Sequence, residues 1–142
     1  MPPETMTPRP AAADIPAHVA AFVTDLTVRT KLPLNYSISS LKLVDRVVDG
    51  MRTGTAHREQ VTGTLFSLGA YAGEVLVRQF NAQWVDLAPE HRALFGQPVG
   101  IRMPDTRLWN PVGKVFNRFD SGPPESLHTL YLTLHGRTRL DP

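Results

Sequence analysis

Three glycines, Gly63, Gly69 and Gly73, interrupt the longest stretch of helical periodicity in the chain, from Thr55 or Ala56 to Phe80. Val61, Leu65, Leu68, Ala72 and Leu76 recur there at three- and four-residue spacing and define one apolar stripe. Each glycine inside a helix costs up to about 1 kcal/mol relative to alanine, so the helix must gain something in return. Gly69, Ala70, Ala72 and Gly73 leave one turn almost without side chains, which predicts close approach of another helix or a strand to the backbone. No phosphate-loop pattern accompanies these glycines, so a packing role is expected in preference to ligand contact.

The remaining elements arrange themselves around this helix. Asp14 as N-cap, Pro16 in the first turn, and the face made by Ile15, Val19, Phe22, Val23 and Leu26 predict a first helix to about Lys31, stopped by Pro33. After Ser37, Leu41, Val44, Val47, Val48 and Met51 form the stripe of a second helix that Gly54 closes. Lys42, Asp45, Arg46 and Asp49 are expected on its outer face. Beyond Asn81 the pattern shortens to strands at Gln83 to Leu87 and Val99 to Met103, with a third around Arg107 to Trp109. Pro89 to Leu94 has room for a helical turn. Asn110 followed by Pro111 starts a fourth helix to Asp120, and Glu125 to Leu134 reads as a fifth, although Leu130, Leu132 and Leu134 also alternate as in a strand. The expected fold class is α+β: about five helices with a small antiparallel sheet of two to three strands packed on a long central helix.

Residues 1–13 carry four prolines and three alanines, with little to bury, and are expected to form a disordered tail. Residues 14–136 are expected to form one globular domain and residues 137–142 a flexible end. A length of 142 residues suits one domain. No apolar run approaches the roughly 18 residues of a membrane span, and no leader pattern opens the chain, so a soluble, cytoplasmic protein is expected. The chain has no cysteine, which removes disulfides, thiolate metal sites and a cysteine nucleophile. Net charge is only +2; twelve of the fifteen basic residues are arginine, a count that coding bias also explains.

Motifs for chemistry are sparse. His18, His57, His91, His128 and His135 show no HExxH arrangement or four-residue pairing, so no metal is predicted, and no cofactor motif occurs. No GxSxG elbow marks a serine nucleophile. Attention falls on Leu68 to Arg78, LGAYAGEVLVR, followed by Trp84. Tyr71, Glu74 and Arg78 stand three and four residues apart, along one side of the helix, with Glu74 and Arg78 in the favourable order for an ion pair. Beneath a sheet, Glu74 must be hydrogen-bonded or paired, either in a network locking helix to sheet or as a perturbed acid lining a site. From Gly100 to Leu140, six basic residues face three acidic ones, with Trp109 the one aromatic not on a core stripe, a weak basis for nucleic-acid binding.

The order LGAYAGEVLVR, Trp84-Val85, Asn110-Pro111, Lys114-Val115 and DSGPPESL resembles a set of uncharacterised small bacterial proteins classed as domains of unknown function. The resemblance spans roughly Asn35 to Leu134 and implies the helix-rich α+β order without an activity. Some small cytoplasmic proteins of this appearance are toxin-neutralising immunity or accessory proteins. The sequence therefore predicts first a non-enzymatic module with a protein partner, meeting it near the sheet and Trp109 or at the basic C-terminal surface. The alternative is a small-molecule binder or enzyme with a pocket between central helix and sheet, using Tyr71, Glu74, Arg78 and Trp84. Oligomeric state has no signature.

Overall fold

The computed structural model describes residues 11–54, 57–122 and 126–140. Among these, six α-helices and a three-stranded sheet follow in the order α1 (Ile15–Thr30), α2 (Leu41–Thr53), α3 (Arg58–Phe80), β1 (Gln83–Asp86), α4 (Pro89–Phe95), β2 (Val99–Arg102), β3 (Leu108–Trp109), α5 (Pro111–Ser121) and α6 (Leu127–Leu140). The fold is α+β with a long central helix, as expected. The sixth helix is α4, where a turn was anticipated; Pro89 occupies its first turn and Gly96, at φ 70°, ends it. Leu130 to Leu134 is helical, and α6 continues past Gly136 to Leu140. At the other end, a 3-10 turn at Ala12–Asp14 precedes α1, and the Ala12 N–H donates to Asp86 Oδ1 at 2.8 Å, tying this part of the expected tail to β1. Residues 1–10 lie outside the described residues.

The sheet is antiparallel in the order β1-β2-β3. Its register places Trp84 opposite Ile101 and Ile101 opposite Trp109, so both tryptophans flank a fully buried isoleucine on one face. That face packs toward α3, and the glycine patch explains how. A Cβ on Gly69 would lie 2.5 Å from Val112 Cα of α5, and a Cβ on Gly73 would fall on the Trp84 indole, with the Pro111 ring 3.2 Å away. One glycine thus admits a helix and the other a strand's side chain, the packing role the sequence implies.

A buried polar seam runs along α2 and corrects the sequence reading. Asp45 and Asp49, expected to face solvent, turn toward α5 and α6. Arg118 of α5, only 6% exposed, donates from Nε to Asp49 Oδ1 at 2.9 Å and from its terminal nitrogen to Asp49 Oδ2 at 2.5 Å. Its Nε also stands 3.9 Å from Asp45 Oδ1. Asp45, 7% exposed, accepts from Ser126 Oγ and from the Leu127 and His128 N–H groups, while the Thr129 N–H donates to Ser126 Oγ. The first three amides of α6 are thereby satisfied, two of them by a side chain from another helix. Arg52 Nε donates to Phe119 O at 2.7 Å, so α2 also closes the negative end of α5. His128, at this junction, has its pKa lowered below 6.5 by burial and by Lys42, against the opposing pull of Asp45. Further along α6, the buried Tyr131 hydroxyl donates to Ala72 O of α3 at 3.0 Å, and burial holds its pKa well above the ordinary tyrosine range.

Candidate functional site

The residues singled out on α3 divide into two structural devices. Tyr71 is fully buried, and its hydroxyl accepts from the Tyr36 N–H at 2.8 Å. Ser40 Oγ donates to Ser37 O, so the 2.6 Å contact between Tyr71 and Ser40 is completed by the tyrosine proton. Burial raises the Tyr71 pKa, with the bonds to Ser40 and the Tyr36 backbone opposing it; the phenol keeps the proton that this chain requires. Tyr36 has φ 64°, an uncommon conformation for a bulky residue. Three groups of α3 hold it there: Tyr71 at its N–H, Gln79 donating to its carbonyl at 3.0 Å, and the Arg78 guanidinium 3.5 Å from its ring centroid.

Arg78 is therefore engaged with Tyr36, and the expected Glu74–Arg78 ion pair does not form among the described residues. Glu74, 4% exposed, instead accepts from Trp84 Nε1 at 2.9 Å, which fixes the indole over Gly73. Tyr71, Glu74, Arg78 and Trp84 fasten α3 to the sheet and to the connection before α2. None of them lines a cavity described here.

The cavity lies on another side of α3. A cleft of about 660 Å3 opens between α1, α3, α5 and the end of α4, within the range of small-molecule sites. Phe66, Phe95 and Phe116 supply its aromatic walls. Leu94 stands at the cleft with 77% of its surface exposed. Gly63 lines it from α3, and a Cβ built there meets nothing within 4 Å. Here the unexplained helix glycine marks open space, in contrast to Gly69 and Gly73.

The polar groups fall into two kinds. Asn110 is engaged at both ends of its amide: Oδ1 accepts from the Gly113 N–H at 2.9 Å and Nδ2 donates to Phe95 O at 3.0 Å, joining the start of α5 to the end of α4. Gln97 and Asn117 line the cleft with no side-chain hydrogen bond to another described residue, leaving two amides for a ligand. His18 Nε2 lies 2.9 Å from Ser67 Oγ, and its ring meets Phe66 edge-on at 5.8 Å. Ser67 is buried behind the wall, so this pair orients the imidazole and presents no serine nucleophile to the cleft. Among the described residues lining the cleft there is no Asp, Glu, Lys or Arg.

A second, smaller cavity of about 290 Å3 shares Phe95, Asn110, Gly113 and Asn117 with the cleft and is lined also by Leu108, Trp109 and Lys114. Trp109 is thus the one residue of the sequence-derived set that lines either of these two cavities. Among the described residues no group of three or more His, Cys, Asp or Glu side chains comes together as a metal site, and no helix is long and apolar enough to cross a membrane. The chain matches no protein-family model, no curated protein and no solved structure.

Proposed function

We propose that the protein binds a small, partly aromatic molecule in the cleft between α3 and α5. The carrying observation is the combination of three phenylalanine walls with two unengaged amides in a cavity of about 660 Å3. Aromatic faces sandwich a flat ring, and amides fix its edge by donating and accepting hydrogen bonds. Among the described residues, the lining offers no Asp or Glu to balance a cationic head.

Gly63 provides the test. Gly63→Leu replaces a helix glycine by a good helix former and directs the new side chain into open space, so the protein keeps or raises its melting temperature. In the wild-type protein, indole-3-carboxamide is expected to shift the backbone NMR signals of Gly63, Phe66, Gln97 and Asn117, and Gly63→Leu to abolish the response. Unchanged spectra at millimolar probe, or an equal response in Gly63→Leu, would remove this reading.

A second reading is favoured by the high exposure of Leu94 at the same cleft: a protein partner of accessory or immunity type inserts an aromatic side chain there. In that case Leu94→Glu releases a partner co-purified with the wild-type chain while indole-3-carboxamide still binds. A partner retained equally by Leu94→Glu and Gly63→Leu would eliminate it.

A further inference from the structure

Resting on the small-molecule reading above, we propose that Ser67 fixes His18 as an N–H donor at Nδ1, facing the cleft, and that the ligand carries a neutral acceptor, a carbonyl or aza nitrogen, on or beside its aromatic ring. His18 belongs to α1 and Ser67 to α3, and the half-buried imidazole forms part of the cleft wall. Ser67 is only 7% exposed, and its one side-chain hydrogen bond is the 2.9 Å contact between Oγ and His18 Nε2. That contact admits two proton arrangements. If Nε2 carried the hydrogen, Ser67 Oγ would accept it and the buried serine O–H would have no acceptor among the described residues, at the full desolvation cost of an unmade hydrogen bond. If Ser67 donates instead, its proton is bonded, Nε2 is the acceptor, and the neutral ring holds its hydrogen on Nδ1.

Nδ1 has no hydrogen-bond partner among the described residues. The two ring nitrogens point in diverging directions, so with Nε2 turned to the buried Ser67, the Nδ1–H is left on the side where the ring lines the cleft. The edge-on contact with Phe66 restrains the ring plane as well. Ligand polarity follows from this donor. Gln97 and Asn117 can each donate or accept, so they do not decide the character of the ligand's edge. His18, held in one tautomer, can only donate, and it selects an acceptor. No Lys or Arg lines the cleft among the described residues, so a neutral acceptor is favoured over a carboxylate, whose charge would lose its hydration without a cation to replace it. Ser67 is thus a positioning residue, and His18 a specificity-determining one.

The tautomer and the ligand preference are read separately on the full chain. A long-range proton–nitrogen NMR spectrum of the imidazoles, recorded at about pH 8.5 where an ordinary histidine is neutral, should show His18 protonated at Nδ1 and bare at Nε2. Ser67→Ala frees Nε2 to take the hydrogen and should move the pattern toward the Nε2–H form, a change that loss of packing alone does not produce. Two neutral probes, indole-3-carboxamide with a carbonyl and 3-methylindole without one, are then titrated by NMR. Ser67→Ala is expected to weaken the carboxamide by about threefold, and the double variant Ser67→Ala/His18→Phe, which removes both partners and leaves no buried hydroxyl unbonded, by about fivefold. Both variants should leave 3-methylindole binding unchanged. A wild-type His18 protonated at Nε2, or carboxamide binding that is unaltered or falls equally with that of 3-methylindole, overturns the assignment while leaving the cleft as a binding site. Binding of neither probe to the wild-type chain overturns the small-molecule reading itself, and the ligand assignment with it.

Discussion

Arg118→Ala is expected to destabilise the protein by about 3 kcal/mol, the lower end of the range for removing one partner of a buried ion pair. The guanidinium is nearly inaccessible and holds Asp49 by two hydrogen bonds, with Asp45 at 3.9 Å. Its loss leaves two carboxylates one helical turn apart on α2 without their cation. Asp49 is partly exposed, and solvent screens part of that repulsion, which places the expectation at the low end of the range. In a chain of this size the change corresponds to a fall in Tm of roughly 6–12 °C. Urea unfolding should show a lower midpoint at unchanged slope. A double-mutant cycle of Arg118→Ala with Asp49→Ala should give a coupling energy of about 1–3 kcal/mol. A loss below about 0.5 kcal/mol, the scale of an ordinary surface substitution, would show that the pair does not hold α2 against α5.

This seam also shows where sequence reading stops. Asp45 and Asp49 lie among the polar residues of an amphipathic helix, and periodicity alone assigns such positions to solvent. What turns them inward is Arg118, 69 residues away from Asp49, together with the α6 amides, and neither has a local signature. The cleft was hidden for a related reason. Phe116 fits the apolar stripe of α5 whether it faces a core or a cavity, because both environments select the same side chain. Elements governed by local chemistry were legible: the Asn110-Pro111 helix start, the stop at Pro33 and the strand pair on either side of α4. At Tyr71, Glu74 and Arg78 the spacing correctly put three polar groups on the central helix, but their partners, Tyr36 and Trp84, come from outside it. The one local clue to the cleft was Gly63, a helix glycine whose missing side chain is compensated by no close neighbour.

Gly69 and Gly50 should respond to alanine in opposite directions. At Gly50 an added Cβ meets nothing within 4 Å, so Gly50→Ala is expected to stabilise α2 by up to about 1 kcal/mol through helix propensity alone. At Gly69 the same gain is offset by a collision 2.5 Å from Val112 Cα, with the Val112 side chain at 3.1 Å. Backbone cannot rotate aside as a side-chain tip does, so α5 must move away from α3, and overpacking of this kind costs about 1–3 kcal/mol or more. A net loss of about 2 kcal/mol is expected for Gly69→Ala. Because α3 and α5 are two walls of the cleft, the displacement should also weaken indole-3-carboxamide binding. Val112→Ala in the Gly69→Ala background removes the Cγ2 contact but leaves Cα and Cβ in place, so only a small part of the stability should return. Denaturant midpoints of the three variants decide the matter: equal stabilisation by Gly50→Ala and Gly69→Ala would mean that α3 and α5 do not pack at the observed distance.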